Sequence, residues 1–267
     1  MNREEKKDLR SILFRHLDGI AVAPTISALN EGKITQYILK HPHFKFQELL
    51  KEFKTNSGYL NVALRLLASQ GWLKREIVID GEEIDFKLTD KGKDAFSLSN
   101  HYSLFCQHIP KLINMDQYLF DTEVDTKKEY FSSLVIELRN LNNKFSAPNT
   151  PAWEMVRHLE GLLAGPILVE LGMSEFFSEI IENRNEIDDI IINDLPYIKT
   201  VIHFFSMLNW VKNNRFTDIG QFYLKRAVAY GVTVSYLPTF MQSSELLYGN
   251  PNKLWKRTQE GLETHVN

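Results

Sequence analysis

The stretch FQELLKEFKTNSGYLNVALRLLASQGWLKREIVIDGEEIDFKL, residues 46–88, decides the fold. Phe46 to Phe53 alternates apolar and charged residues at helical spacing and reads as a short amphipathic helix. Thr55-Asn56-Ser57-Gly58 is a turn rich in capping residues. Tyr59 to Gln70 reads as a longer helix, ended by Gly71. Trp72 to Ile79 and Ile84 to Leu88 then read as two strands, joined through Asp80-Gly81, a strong hairpin signal. Thr89 begins another helix, with Asp90 in its first turn. Helix, tight turn, helix and hairpin together predict a winged helix.

Outward from this stretch the chain repeats itself. His16-Leu17-Asp18-Gly19 through Pro24 returns 142 positions later as His158-Leu159-Glu160-Gly161 through Pro166. Tyr59 and Trp72 return as Tyr197 and Trp210, an offset of 138. Thr89-Asp90-Lys91-Gly92 and Tyr102 return as Thr217-Asp218-Ile219-Gly220 and Tyr230, an offset of 128. Matched residues in fixed order over such a length indicate two copies of one folding unit. The offset falls by ten between tryptophan and threonine, where the first copy carries its hairpin. The second copy therefore keeps the helices and loses most of the wing, with Asn213-Asn214 left to turn a stub. The expected fold is mainly α: two tandem winged-helix-like domains, the first with a β-hairpin wing and the second with the wing reduced. The expected division is 1–120 for the first copy, 121–152 for a helical linker and loop, and 153–267 for the second copy with its C-terminal helices.

Ahead of the first winged helix, the pattern predicts an amphipathic helix, a well-buried second helix and a short helix from Lys33 to Leu39, stopped by His41-Pro42. Residues 4–17 are amphipathic; Gly19 to Ser27, and likewise Gly161 to Leu171, are small and apolar, with a proline near the start or at a kink. Small residues there suit close helix–helix approach.

Composition bounds the function. The 267 residues are 43% hydrophobic and 24% charged, as in an ordinary globular protein. A net charge of −3 does not call for nucleic acid. One cysteine, Cys106, excludes an internal disulfide, and a charged N-terminus with no apolar stretch behind it does not read as a secretory signal; a cytoplasmic location and no membrane association are expected. No apolar run approaches the ~20 residues of a membrane span.

Little in the chain reads as catalysis. There is no Gly-rich strand-to-helix turn for a dinucleotide, phosphate or S-adenosylmethionine, no HExxH and no cysteine cluster. His41-Pro42-His43 reads as a solvated loop pair rather than a metal site. His16 and His158, each beside a carboxylate, read as helix-surface or capping residues rather than general bases, because two identical sites are not expected in one enzyme. No catalytic, cofactor or metal residue is assigned. DNA recognition is the alternative that a winged helix raises. Its readers would be Asn61 and Arg65, with Lys199 and His203 in the second copy. Against it, the hairpin tip Asp80-Gly81-Glu82-Glu83 sets three carboxylates where phosphates would lie. A third reading is a protein-interaction adaptor with an exposed apolar patch at Phe240 and Trp255.

The order of elements, the Thr-Asp-x-Gly step, and the closing Glu245-Leu246-Leu247-Tyr248-Gly249-Asn250-Pro251, followed by Lys253-Leu254-Trp255, carry a family likeness. They resemble the N-terminal region of small-molecule O-methyltransferases dependent on S-adenosylmethionine. They also resemble methyltransferase-associated helical regions of natural-product assembly lines. The resemblance implies a module that dimerises through its apolar N-terminal helices and supplies a lid over a substrate pocket. It implies S-adenosylmethionine only with a catalytic domain, which these residues do not contain; Gly261 and Glu263 stand where such proteins approach that domain. The implied partners are a methyltransferase domain or a second copy, and a small-molecule substrate. The tandem copies could pair within one chain, in place of a homodimer.

Overall fold

The computed structural model describes residues 1–79, 83–108, 126–173, 187, 196–254, 256–258 and 261–263. The described residues are mainly helical with small antiparallel sheets. The first copy runs α1 (Arg3–Glu31), α2 (Ile34–Lys40), β1 (His43–Lys45), α3 (Phe46–Phe53), α4 (Ser57–Ser69), β2 (Leu73–Ile79), β3 (Glu83–Leu88), α5 (Asp90–Ser97) and α6 (Ser99–Cys106). After α7 (Thr126–Lys144), the second runs α8 (Pro151–Met173), α9 (Pro196–Met207), β4 (Val211–Lys212), β5 (Arg215–Phe216), α10 (Asp218–Leu224) and α11 (Ala227–Ser235). α12 (Leu237–Phe240), α13 (Ser243–Tyr248) and a hairpin of β6 (Lys256–Thr258) and β7 (Gly261–Glu263) follow.

Two expectations need correction. The amphipathic helix and the small-residue helix are one continuous helix of 29 residues, α1, with Pro24 inside it; α8 likewise runs through Pro166. Gly19 does not end a helix. A helical glycine costs only about 1 kcal/mol, and tertiary contacts offset that here. The stretch Tyr230 to Tyr248 is helical, in three short pieces, α11 to α13. In addition, α1 contains an 18-residue window of mean hydropathy 1.3, long enough to cross a membrane, contrary to the expectation that no apolar run approaches that length; 67% of that window is buried within the protein.

The chain forms two compact units, and they follow a different division from the repeat. One comprises residues 1–20, 108–146 and 156–235; the other 21–107, 147–155 and 236–267. Each unit therefore takes the winged-helix part of one copy together with helical residues from the other.

In the unit holding the first winged helix, the sheet order is β1-β3-β2. β1 was not expected from the sequence. It pairs Phe44 opposite Phe86, and their rings stack at 5.4 Å, so an apolar pair rather than strand length holds this edge. β2 and β3 form the wing, with Ile77 opposite Ile84; the tip, 80–82, lies outside the described residues. β3 buries Ile84, Phe86 and Leu88 alternately, as a half-buried strand should. The backbone N–H of Lys45 donates to Glu48 at 3.0 Å, which fixes the start of α3.

In the other unit the second wing is the expected stub. β4 and β5 hold two residues each, and Asn213 and Asn214 both have positive φ (52° and 55°), which the tightest hairpin turn requires.

The Thr-Asp-x-Gly step does the same work in both units. Thr89 Oγ1 accepts from the Gly92 N–H at 2.9 Å, and Thr217 Oγ1 from the Gly220 N–H at 3.1 Å, capping α5 and α10. Each hydroxyl also donates back to the end of the preceding helix: to Gly71 O at 2.8 Å and to Asn209 O at 2.7 Å. A Cβ on Gly92 or Gly220 would stand 2.0 or 2.2 Å from the carbonyl oxygen of Trp72 or Trp210. Glycine is demanded at both positions because a helix start abuts the tryptophan backbone.

Candidate functional site

The repeated His-Leu-Asp/Glu-Gly motif marks the most distinctive packing in the protein. Within the second-copy unit, α1 and α8 cross at these residues. A Cβ on Gly19 would lie 2.3 Å from His158 O, and a Cβ on Gly161 would lie 2.3 Å from His16 O. The glycine of each copy thus admits the backbone of the other copy's histidine. This reciprocity accounts for the conserved spacing of the two motifs within the chain: the histidine and the glycine one turn beyond it meet their counterparts.

The crossing buries ionisable groups. His16, His158 and Glu160 are 1%, 0% and 1% exposed. This overturns the expectation of surface or capping histidines, since helix-on-helix packing at glycine leaves no room for solvent. His16 Nδ1 meets the Tyr230 hydroxyl at 2.8 Å, while Nε2 stands 3.4 Å from Glu160 Oε2. Arg157 pairs with the other carboxylate oxygen of Glu160 at 2.9 Å and also bonds the Asn142 side chain.

Burial dominates the titration of His16 and holds its pKa below the ordinary 6.5, although Glu160 pulls the other way. The ring is neutral at pH 7. The network then assigns its proton to Nε2, facing the carboxylate, with Nδ1 accepting from the Tyr230 hydroxyl. Tyr230 stays protonated, since burial pushes its pKa well above the phenol value. The ion pair of Arg157 and Glu160 balances charge, so the cluster is neutral overall.

A cavity of about 150 Å³ opens beside this cluster. His16, Asn142, Arg157 and Glu160 supply its polar wall; Trp210 and Tyr223, stacked at 4.4 Å, supply an aromatic one. Sequence reading found His16 and Glu160 but neither the cavity nor Arg157. The available signal was the recurrence of histidine and glycine together, three residues apart, in both copies.

The remaining sequence candidates stand apart from this site. His43 lies exposed on β1, and among the described residues no group of three metal-ligating side chains forms. Cys106 is buried, and burial pushes its thiol pKa far up, which fits the apolar filler role expected of it. Arg65 is exposed on α4 and Asn61 is half-buried beside it; Lys199 and His203 are exposed on α9. The neighbouring face of α4, with Tyr59, Val62 and Leu66, lines an apolar hollow of about 210 Å³ with Phe240, Leu246 and Leu247. Asn56, just ahead of α4, donates to the carbonyls of Leu246 and Leu247 at 2.8 Å, through its side chain and its backbone. The face beside Asn61 and Arg65 is thus an open apolar hollow, with Val62 62% exposed. Of the hairpin-tip carboxylates, Asp80 and Glu82 lie outside the described residues; Glu83 forms an ion pair with Lys45. Phe240 is half-buried, and Trp255 lies outside the described residues.

Comparison with known proteins gives two matches and one negative result. No curated protein matches the chain. Residues 9–75, from α1 to the wing, are similar to the AprA N-terminal domain, and residues 160–250, from the Glu160 crossing to the end of α13, are similar to the AprA winged helix domain.

Proposed function

We propose that this chain is a non-catalytic helical scaffold serving an S-adenosylmethionine-dependent methyltransferase. In this reading it carries no catalytic residue itself and forms the dimerisation and substrate-lid region beside a separate catalytic domain. The pairing that would otherwise join two molecules is made between the two copies of one chain. The observation that carries the reading is the reciprocal crossing of α1 and α8 at Gly19 and Gly161, where the N-terminal helices of the two copies pair through backbone contact. The buried His16 cluster supports a structural role for these residues: it is neutral, mutually bonded and held by helix packing. The AprA-type segments support the module but name no reaction. DNA recognition is disfavoured by the apolar character of the α4 face at Val62 and Leu66, which offers base edges no hydrogen-bonding group.

Calorimetric titration of the chain with S-adenosylmethionine tests the reading. No heat of binding is expected; saturable micromolar binding would overturn the claim that the cofactor site lies elsewhere. A gel shift at low salt separates the alternative, because sequence-selective, salt-sensitive retention of DNA would replace this reading with a regulator.

A further inference from the structure

The outer edge of the wing offers a strand for pairing, a feature independent of the methyltransferase reading. β2 lies at the edge of its sheet, and its residues 74–79 are all exposed. Ile77, Val78 and Ile79 follow one another there, 48%, 52% and 49% exposed. A long edge strand with exposed apolar residues is a template for further pairing. The hydrogen bonds of the sheet show which groups are on offer. Thr89 N–H donates to Trp72 O at 3.1 Å, so Trp72 turns towards β3. Bonded and non-bonded pairs alternate along an antiparallel ladder. Lys74 and Glu76 therefore also turn towards β3, opposite Lys87 and Asp85, while Leu73, Arg75 and Ile77 turn their N–H and C=O groups outward. The other side of the sheet agrees: Leu88, opposite Leu73, donates to Pro42 O at 2.8 Å, on the β1 side. Among the described residues, no hydrogen bond reaches this outer edge.

The strand is complementary to itself. An antiparallel partner must set outward-turned residues opposite outward-turned residues. With a second β2 as the partner, only the register centred on Arg75 engages Leu73, Arg75 and Ile77 together. It sets Leu73 opposite Ile77 and Lys74 opposite Glu76, each twice across the two-fold axis. Apolar and opposite-charge pairs of this kind stabilise a sheet. The two neighbouring registers set Lys74 against Lys74 or Glu76 against Glu76, which repel. In the centred register Arg75 faces its own copy. Its side chain is long and exposed, so this costs less than the ion pairs and apolar pairs gain. A Cβ on Gly71, just ahead of the strand, would meet nothing within 4 Å, so the approach is open where the partner's Val78 and Ile79 would run.

We propose that a second copy of this chain binds here: two molecules join their wings through an antiparallel β2–β2 pair, with Arg75 on the two-fold axis and Lys74 facing the partner's Glu76. Two strands bury little surface, so the dimer is weak, with a Kd of about 0.1–1 mM.

Sedimentation equilibrium of the full chain, at concentrations spanning that Kd, tests it. The wild type should show dimers. Lys74→Glu and Glu76→Lys lie on the exposed strand and leave folding intact; each sets like charges opposite one another and should weaken self-association at least about tenfold. An equimolar mixture of these two variants should form heterodimers at least as strong as the wild-type dimer, because every charge then meets its opposite. Both changes in one chain should restore the homodimer. Ile77→Pro, which removes an outward N–H and no bond to β3, should abolish dimers in a folded protein. Monomers alone in the wild type, dimers untouched by Lys74→Glu or Ile77→Pro, or no heterodimer in the mixture would each overturn the proposal.

Discussion

Replacing Gly161 by alanine sets two effects of opposite sign against each other. Alanine is the better helix former by about 1 kcal/mol, because glycine loses more backbone freedom on folding. At Gly161, however, the added Cβ would stand 2.3 Å from the Cα and carbonyl oxygen of His16. That is roughly 1 Å inside contact distance, since non-bonded carbons are at optimum near 3.5 Å or beyond. The obstruction is backbone, so no side chain can rotate away and the two helices must part. Overpacking of a tight core costs about 1–3 kcal/mol, and a backbone obstruction belongs at the upper end. The net loss expected is about 2 kcal/mol. Gly231, in the middle of α11, is the control, because a Cβ there meets nothing within 4 Å. Gly231→Ala should gain up to about 1 kcal/mol from propensity alone. Urea unfolding followed by far-ultraviolet dichroism and by tryptophan fluorescence would measure both midpoints. If Gly161→Ala shifts the midpoint upward as Gly231→Ala does, the helices do not touch at this residue and the crossing is wrong.

Other consequences follow from the same residues. Glu160→Gln removes one partner of a buried ion pair and should cost about 3–5 kcal/mol by the same unfolding assay, whereas a loss below about 1 kcal/mol would mean that the pair is solvated. Stability should be full above pH 6.5 and fall as pH drops below it. The unfolded His16 ring takes up a proton there, while the folded ring, buried with Glu160, Arg157, Tyr223 and Tyr230 around it, resists one. A unfolding midpoint flat between pH 5 and 7, or one rising on acidification, would contradict the neutral ring. Thr217→Ala should cost about 1 kcal/mol by removing the cap on α10, and Thr217→Ser should restore most of it. If serine rescues nothing, the hydroxyl is not the stabilising group.

Much of the local structure was legible because its causes are local. The hairpin follows from alternation around Asp80-Gly81, the caps from Thr89 and Thr217, and the shortened second wing from the change of repeat offset. The His16 site was legible in part. The repeat flagged His16, Gly19, His158 and Glu160 as a set, but their burial depends on a partner helix some 140 positions away along the chain, which periodicity within one helix cannot reveal. Arg157 precedes the motif, and its counterpart in the first copy, Arg15, carries the same charge; nothing short of the crossing distinguishes its role as the counter-ion of Glu160. The exchange of helical segments between copies was not legible at all. Similarity says which segments share an ancestor, and packing is decided by which apolar faces meet.

That exchange has a consequence for biogenesis. The first winged helix, complete by Cys106, still lacks residues 147–155 and 236–267 of its own compact body when it leaves the ribosome. The amphipathic start of the chain waits longer still, for partners between 156 and 235. Neither body can mature before residue 235 has been made, so closing such distant contacts sets the pace of assembly, and a chain cut short of that point exposes apolar helices rather than forming a smaller working protein.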